Sequence, residues 1–201
     1  MRRIDCSNSM DRLTRRWPRG YVGADHETIG SNLLAVLNVP AGLALEREAS
    51  VRLAGVTAKG WYPVSWLLEL LDALDERAGS IGLRQVGRQI FRATHAEWTR
   101  HACSSARDLL HGLDEMYRGG NRGTEIGGWS ILDFGPGRAV LEKTTPHHCV
   151  MEEGIVCEAL SAVGVPAVVT QLECFRKGAA ACTFQVSSAF VRREWNGEGL
   201  T

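Results

Sequence analysis

The sequence predicts an α+β domain in which N-terminal helices pack on a mostly antiparallel four-stranded sheet. Three features of the 201 residues indicate this class. Apolar residues recur at helical spacing through the first half of the chain, alternating segments dominate the second half, and a glycine-rich run at 118–123 separates the two patterns. The second half is expected to run strand, strand, helix, strand, strand.

Four helices are predicted in the first half, over residues 41–54, 64–79, 81–101 and 103–117. Each has apolar side chains three or four positions apart, which places an apolar stripe along one face of the helix. Pro63 suits the first turn of the second helix, and Gly79 is expected to end it.

One helix and two strand pairs are predicted in the second half, over 125–134, 138–144, 148–163, 166–174 and 181–188. A Gly-Pro-Gly turn at 135–137 joins the first two strands, and Gly178 lies in the turn between the last two. Gly164 follows the helix, where a glycine commonly ends one. Short turns of this kind give antiparallel hairpins.

The charged residues balance, with 23 Lys plus Arg against 23 Asp plus Glu. Nucleic-acid-binding domains usually have a basic excess, so a nucleic-acid partner is not expected. Six arginines fall within residues 1–20, which we interpret as a basic, flexible arm before a single domain at 21–190 and a tail at 191–201. No segment has the apolar length of a signal peptide or a membrane span, so the predicted location is the cytoplasm.

Motifs of common enzyme chemistry are absent from the sequence. It has no P-loop, no HExxH and no GxSxG, and no acid, base and nucleophile can be grouped. The run 118–123 could bind an anion, but it follows a predicted helix, which favours a connecting loop. The chain is therefore predicted not to be an enzyme.

Three of the six cysteines lie where the predicted elements could bring them together. Cys149 opens the helix of the second half, and Cys174 and Cys182 flank the last hairpin. Three thiolates and one further ligand would complete a tetrahedral zinc site. The alternative is that these cysteines are small buried side chains, as most free cysteines are.

Histidines on the predicted helices form a second candidate group. His95 and His101 lie on the third helix beside Trp98, and His111 lies on the fourth. A histidine on a helix can ligate haem iron or hydrogen-bond a ligand in an apolar pocket. The alternative is a partly exposed side chain that its neighbours satisfy.

The closing helix and hairpin, residues 154–188, resemble those of the 4-vinyl reductase domain family. The resemblance rests on a helix glycine, a cysteine after a strand, a turn glycine and a Cys-x-Phe on the last strand. These positions are Gly154, Cys174, Gly178, Cys182 and Phe184. Upstream, Trp-Tyr-Pro at 61–63 and the segment 82–88 resemble a related group of uncharacterised proteins.

The resemblance implies a fold shared with haem nitric-oxide sensors and with small subunits of a tethering complex, commonly as homodimers. Some members sense aromatic molecules and hold zinc through cysteines and a glutamate. Cys149, Cys174 and Cys182 match the cysteine positions approximately, whereas Gln171 stands at the glutamate position and counts against zinc. Glu173 is nearby but should face away from Cys174 on a regular strand.

The resemblance also implies a ligand pocket with a histidine from a helix and a tryptophan from the first strand of the hairpin. By position these are His101 and Trp129, and Trp98 and Phe134 complete the predicted pocket. An apolar cavity with an aromatic wall and one polar anchor suits a small apolar or aromatic ligand. Trp129 could equally be an ordinary core residue.

We therefore predict a regulatory domain that senses such a ligand as a homodimer and signals through an unidentified partner protein. The alternative, from a different class, is a non-enzymatic scaffold of the tethering-subunit type. A haem-based gas sensor ranks third, because the Tyr-x-Ser-x-Arg motif that such sensors use for the haem propionates is absent. Zinc is the cofactor considered, and haem is not expected.

Overall fold

The computed structural model describes residues 22–40, 45, 53–179, 181–189 and 193–196. The strands are β1 (Glu27–Ile29), β2 (Trp61–Pro63), β3 (Asn121–Arg122), β4 (Trp129–Gly135), β5 (Arg138–Lys143), β6 (Val168–Glu173) and β7 (Cys182–Ser187). The α-helices are α1 (Gly30–Leu37), α2 (Val64–Ile90), α3 (Ala96–Ala102), α4 (Ala106–His111), α5 (Leu113–Gly120), α6 (Cys149–Ala162) and α7 (Arg193–Asn196). A π-helical turn, Phe91–His95, joins α2 to α3, and a 3-10 turn spans Phe175–Lys177.

The four-stranded sheet has the order β4-β5-β7-β6, and every neighbouring pair in it is antiparallel. Leu141 of β5 and Phe184 of β7 are opposite each other in register, and both are buried in one cluster with Val156 of α6. Because α6 connects the two hairpins, the predicted order of strand, strand, helix, strand, strand is confirmed. The α+β class is confirmed with it.

A smaller sheet with the order β2-β1-β3 is a feature that the sequence did not predict. Thr28 of β1 pairs with Tyr62 on one side and with Asn121 on the other. Strands of two or three residues are too short to show an alternating pattern, so periodicity carries no signal for them. This sheet ties the beginnings of α1 and α2 to the end of α5.

The boundaries of the helical half differ in part from the prediction. α2 continues past Gly79, but the backbone there has a φ of 55°, so the helix is kinked where an end was predicted. The predicted helix at 103–117 is divided at Gly112 into α4 and α5. Ser105 begins α4 by accepting a hydrogen bond from the backbone N–H of Asp108.

α2 and α6 pack with their backbones close together. A Cβ atom on Gly87 would overlap the carbonyl oxygen of Met151, and one on Gly154 would lie 2.5 Å from the carbonyl oxygen of Arg84. Only glycine permits such an approach. α6 therefore lies between two apolar clusters, one with the sheet and one with α1 and α2.

Some predictions concern residues outside the described ranges. The basic arm at 1–20, most of the helix at 41–54 and most of the tail at 191–201 lie outside the described residues. In the part of the chain that is described, no helix has the length and apolar character needed to cross a bilayer. The single domain at 21–190 and the cytoplasmic location stay predictions.

Candidate functional site

The candidate site begins at the ends of two neighbouring strands. Ala139, Leu141 and Lys143 share one face of β5 and are each at most 1% exposed, so the strand places a lysine in line with core residues. Lys143 pairs in register with Cys182, the first residue of β7, and α6 begins close by at Cys149. These elements converge on a group of thiols.

Cys149, Cys174 and Cys182 form a thiol cluster, whose sulfur atoms all lie within 4.8 Å of one another. The sulfurs of Cys149 and Cys182 are 3.6 Å apart, and those of Cys182 and Cys174 are 3.9 Å apart. These are hydrogen-bond distances for sulfur, whereas a disulfide bond is about 2 Å long. The structure thus brings together the three cysteines that the sequence grouped.

The thiol cluster favours one thiolate, on Cys149. Hydrogen bonds from the thiols of Cys174 and Cys182, and the Lys143 ammonium 3.4 Å away, hold the pKa of Cys149 below its ordinary value. The same sulfur contacts and burial raise the pKa of Cys174 and that of Cys182. The N-terminal end of α6 also favours a negative charge at Cys149. A thiolate is the form of cysteine that binds metal ions.

Gln171 and Glu173 do not join the thiol cluster. Among the described residues, the group of potential metal ligands has three members, and all are cysteines. Gln171 instead donates a hydrogen bond to the backbone carbonyl of Glu173, and the register of β6 with β7 is irregular between these two residues. The cluster therefore offers three sulfur ligands and no carboxylate.

Lys143 links the thiol cluster to a buried carboxylate. Its ammonium lies 3.1 Å from Oε2 of Glu152 and donates to the backbone carbonyl oxygen of His147 at 2.6 Å. The side chain of Lys143 is fully buried and that of Glu152 is 3% exposed. Loss of Lys143 would leave the Glu152 carboxylate as an uncompensated charge in the core, and loss of Glu152 would deprive the Lys143 ammonium of its carboxylate partner.

Glu152 uses its other carboxylate oxygen to hold two more side chains. Thr145 donates to Oε1 at 2.6 Å, and Nδ1 of His147 lies 3.3 Å from the same oxygen. The ring of Tyr117 packs edge-on against His147, with the ring centroids 5.8 Å apart. Burial raises the pKa of Tyr117, whose hydroxyl donates to the carbonyl oxygen of Ile126. One nitrogen of His147 is thus engaged by Glu152.

A cavity of about 20 Å³ lies at the end of this polar chain, between the helices and the sheet. Its polar lining residues are Asn32, His95, Tyr117, Asn121, His147 and Glu152. Its apolar lining residues are Leu67, Ile90, Leu113, Met116, Trp129, Met151, Ile155 and Val156. A volume of this size accommodates about one water molecule.

Three polar side-chain atoms of the cavity-lining residues have no hydrogen-bond partner within the described ranges. One is Oε2 of Glu152, which forms an ion pair with the Lys143 ammonium 3.1 Å away. The other two are Nε2 of His147 and Oδ1 of Asn121, which have no such counter-charge, and each of these residues is 3% exposed. The amide nitrogen of Asn121 is engaged, since it donates to the carbonyl oxygen of Tyr117 at 3.0 Å. A buried polar atom left unpaired costs about 1–3 kcal/mol. A ligand that pairs with these atoms would remove that cost.

His95 is a second buried imidazole in the cavity lining. Burial, and secondarily the neighbouring His147, lower the pKa of His95 to about 4, so its ring is neutral at pH 7. Gly120 fits closely against it, because a Cβ atom there would lie 3.1 Å from Cε1 of His95. The sequence identified His95 as a possible haem or ligand contact, and the structure places it in the cavity wall.

Of the four predicted pocket residues, Trp129 lines the cavity. His101 is exposed on α3. Trp98 packs against the apolar cluster of the sheet, and Phe134 stacks on Trp195 of α7 with ring centroids 5.5 Å apart. His101, Trp98 and Phe134 therefore lie outside the cavity lining, and a role for them in ligand binding stays a prediction.

Sequence reasoning missed the residues of the polar chain, although two of them carried a signal. Lys143 alternates with apolar residues on the buried face of β5, and Glu152 shares a face of α6 with Val156 and Ala159. One acidic and one basic residue on two apolar faces indicate a buried ion pair. Asn121 carried no such signal, because its strand has two residues.

Comparisons with known proteins identify the fold. No sequence profile of a known family matches the chain, and no curated protein matches it. Solved structures with a similar fold are H-NOX domains.

Three of these H-NOX structures show how far the likeness extends. A mutant H-NOX protein from S. oneidensis in the Fe(II) ligation state has a TM-score of 0.64 and 13% identity, covering 84% of this chain and all of its own. The H-NOX domain from Shewanella oneidensis in the Fe(II)CO state has a TM-score of 0.60 and 16% identity, covering 80% and 98%. An oxygen-binding H-NOX domain related to soluble guanylate cyclases has a TM-score of 0.58 and 14% identity, covering 81% and 93%. At these identities the likeness shows the fold.

The predicted relation to the 4-vinyl reductase domain family is wrong, because no family profile matches and the structural neighbours are H-NOX domains. The segment 154–188, which carried that resemblance, consists of most of α6 and the hairpin of β6 and β7. Its glycines and cysteines mark a helix, a turn and strand ends. Such a pattern reports the local fold and does not distinguish families that share it.

The cofactor prediction, zinc with haem not expected, is also wrong, because the structural neighbours are haem domains, recorded with Fe(II) and with Fe(II)NO. His95, a buried and neutral imidazole, is the type of side chain that ligates haem iron. The cavity of about 20 Å³ has no room for a porphyrin in the conformation observed.

Proposed function

We propose that this chain is a sensory domain that binds a small ligand in the cavity lined by His147 and Asn121. The observation that carries the proposal is the pair of buried, unpartnered polar atoms in a largely apolar wall. The fold supports it, because domains of similar structure are recorded in complex with carbon monoxide, nitric oxide or oxygen.

The position of the cavity suits a sensor. Its lining comes from α1, α2, α5, α6 and β4, so a ligand would contact most layers of the fold at once. Through His147 and Glu152 the cavity also connects with Lys143 at the edge of the thiol cluster. A ligand that changes the contacts of His147 would therefore act on the helices and on the sheet.

Haem is the second candidate for the occupant, and His95 is the observation that favours it. Adding haem to the purified protein should give the strong visible absorption band of a ligated haem, and His95→Ala should remove that band. His101→Ala, at an exposed position, is the matched control and should keep it. No band with the unaltered protein would exclude haem.

We further propose that the thiol cluster is a binding site for a metal ion that prefers sulfur ligands. The observations in its support are three sulfurs within 4.8 Å of one another and the Lys143 ammonium 3.4 Å from the sulfur of Cys149, a contact that favours the metal-binding thiolate. Homodimerisation, signalling through a partner protein, the absence of enzyme activity and the scaffold alternative stay predictions.

The methionines allow a direct test of the cavity. The chain has four, and two of them, Met116 and Met151, line the cavity. In protein labelled with ¹³C at the methionine methyl groups, toluene, aniline and 1-butanol should shift the signals of these two residues in a saturable manner. Met116→Leu and Met151→Leu variants assign the signals.

Two isoleucines of α2 provide a matched pair of variants. Ile90→Phe fills the cavity and should abolish the shifts, whereas Ile81→Phe changes a side chain that is 72% exposed and should not. Overfilling a core costs about 1–3 kcal/mol, so folding of the first variant is checked by circular dichroism. If no probe shifts Met116 or Met151 in the unaltered protein and haem does not bind, the proposed function is refuted.

A further inference from the structure

We infer that the ligand of this cavity is a hydrogen-bond donor, a small neutral molecule with an N–H or O–H group, and that His147 and Asn121 select it. The inference rests on the proposed function, because it names the class of ligand for the same cavity. It is carried by the chemistry of the two unpartnered atoms: Oδ1 of Asn121 can only accept a hydrogen bond, and Nε2 of a neutral His147 ring whose proton is on Nδ1 also accepts one.

The contact with Glu152 decides which nitrogen of His147 carries the proton. Glu152 is paired with the ammonium of Lys143 at 3.1 Å, and an ionised carboxylate can only accept hydrogen bonds. Nδ1 of His147, 3.3 Å from Oε1 of Glu152, is therefore the N–H donor. In a neutral imidazole this leaves a lone pair on Nε2, the nitrogen for which the described residues supply no partner.

The contact with Tyr117 orients the amide of Asn121 in the same way. A backbone carbonyl oxygen can only accept, so the side-chain atom 3.0 Å from the carbonyl of Tyr117 is the amide nitrogen of Asn121. Oδ1 is then the atom without a partner in the described part of the chain. Exchanging the nitrogen and oxygen of this amide would break the existing bond, so the cavity presents two acceptors.

The size and polarity of the lining define the rest of the ligand. A cavity of about 20 Å³ accommodates one amino or hydroxyl group. The other neighbours are mostly apolar, with Met116, Trp129 and Met151 among them, so the body that bears the donor should be apolar. A ligand with a net charge is disfavoured, because a buried charge without a counter-charge is costly. Entry of the apolar body should widen the cavity.

Aniline and toluene test this inference, because an amino group and a methyl group are similar in size and only the amino group donates. Each is titrated into the labelled protein while the methyl signals of Met116 and Met151 are followed. We expect aniline to bind at least about tenfold more tightly, since toluene leaves both acceptors unpaired. Equal affinities would overturn the inference and leave the proposed function intact. Binding of neither probe would overturn the inference, and the proposed function falls with it when 1-butanol and haem do not bind either.

Variants at position 147 test whether His147 accounts for the preference for a ligand that donates a hydrogen bond. His147→Leu removes one acceptor and should reduce the affinity for aniline to near that for toluene, whereas His147→Gln, which keeps a carbonyl acceptor, should restore part of the difference. His101→Leu makes the same exchange at an exposed position and should change nothing. If His147→Leu folds and keeps the full preference, the inference is wrong. A crystal structure with aniline in which a water still occupies the two acceptors would also overturn it.

Discussion

The buried polar chain has two ends that differ in how fully their hydrogen bonds are made. It runs from Cys149 through Lys143 and Glu152 to His147. At the thiol end each sulfur lies within hydrogen-bond distance of another, and Lys143 balances the thiolate. At the cavity end Nε2 of His147 and Oδ1 of Asn121 find no partner among the described residues. The thiol end is complete without a ligand, whereas the cavity end gains free energy when a donor arrives.

This difference has a consequence for how ligands would act on the protein. A metal ion at the thiol end would have to replace hydrogen bonds that already exist, including the contact of Cys149 with Lys143. A donor that pairs with Nε2 of His147 and Oδ1 of Asn121 replaces none of the hydrogen bonds that the described residues make. Four substitutions separate the two ends experimentally.

The largest effect is expected from Glu152→Gln, which breaks the connection between the two ends. The variant leaves the Lys143 ammonium buried without its carboxylate, so the free energy of unfolding in urea should fall by about 3–5 kcal/mol. Glu153→Gln is the matched control one residue along α6, where the partner Arg84 is exposed and the loss should be below about 1 kcal/mol. Equal losses in the two variants would mean that the buried pair does not stabilise the fold.

A pH dependence is expected at the cavity end from His95. Because its pKa is about 4 in the folded protein and 6.5 in the unfolded chain, the unfolded chain binds a proton more readily between these values. The contribution of the neutral His95 ring to the free energy of unfolding is fully present above pH 6.5. It is lost as the pH falls to about 4, for a total loss of about 3 kcal/mol. Urea unfolding across this range measures it.

Other groups titrate over the same range, so the contribution of His95 is measured as a difference. The pH profile of stability of the unaltered protein is compared with that of His95→Gln. His95→Gln should flatten the decline of stability on acidification by roughly that amount, whereas His101→Gln should not. A decline that is as steep in His95→Gln as in the unaltered protein would show that His95 is not the group responsible.

A smaller effect, confined to the thiol end, is expected from Cys182→Ser. Cys182 contacts both other sulfurs, so its loss should weaken Cd²⁺ binding by about 100-fold, seen in the ultraviolet charge-transfer absorption of cadmium thiolates. Cys103→Ser, outside the cluster, should leave the titration unchanged. Cadmium that binds Cys182→Ser as tightly as the unaltered protein would refute the metal site.

The smallest effect is expected from His101→Leu. Because His101 is exposed and outside the cavity lining, the affinity for aniline in the methionine-methyl titration should change by no more than about twofold. A large loss would show that the pocket predicted from the sequence, with His101 in it, is used in solution. The comparison between the two ends would then need revision.

The second half of the fold could be predicted because its signals are local. The alternation along β5 and β7 and the turn between β4 and β5 are encoded by neighbouring residues, and so is the end of α6 just before Gly164. The thiol cluster followed from the same signals, since strand ends and a helix start near one hairpin have few arrangements. The small sheet did not follow, because its three strands lie far apart in the chain and are too short to show a period.

What the amino-acid pattern established is therefore the α+β class, the closing β-β-α-β-β unit and the grouping of Cys149, Cys174 and Cys182. The three-dimensional packing decided the rest. Asn32, His95, Asn121 and His147 come from separate elements, and no spacing along the chain relates them. They share a cavity because α6 packs closely on α2 through glycines and because β3 holds the end of α5. Contacts between distant segments depend on how whole helices and sheets fit, which short-range periodicity does not contain.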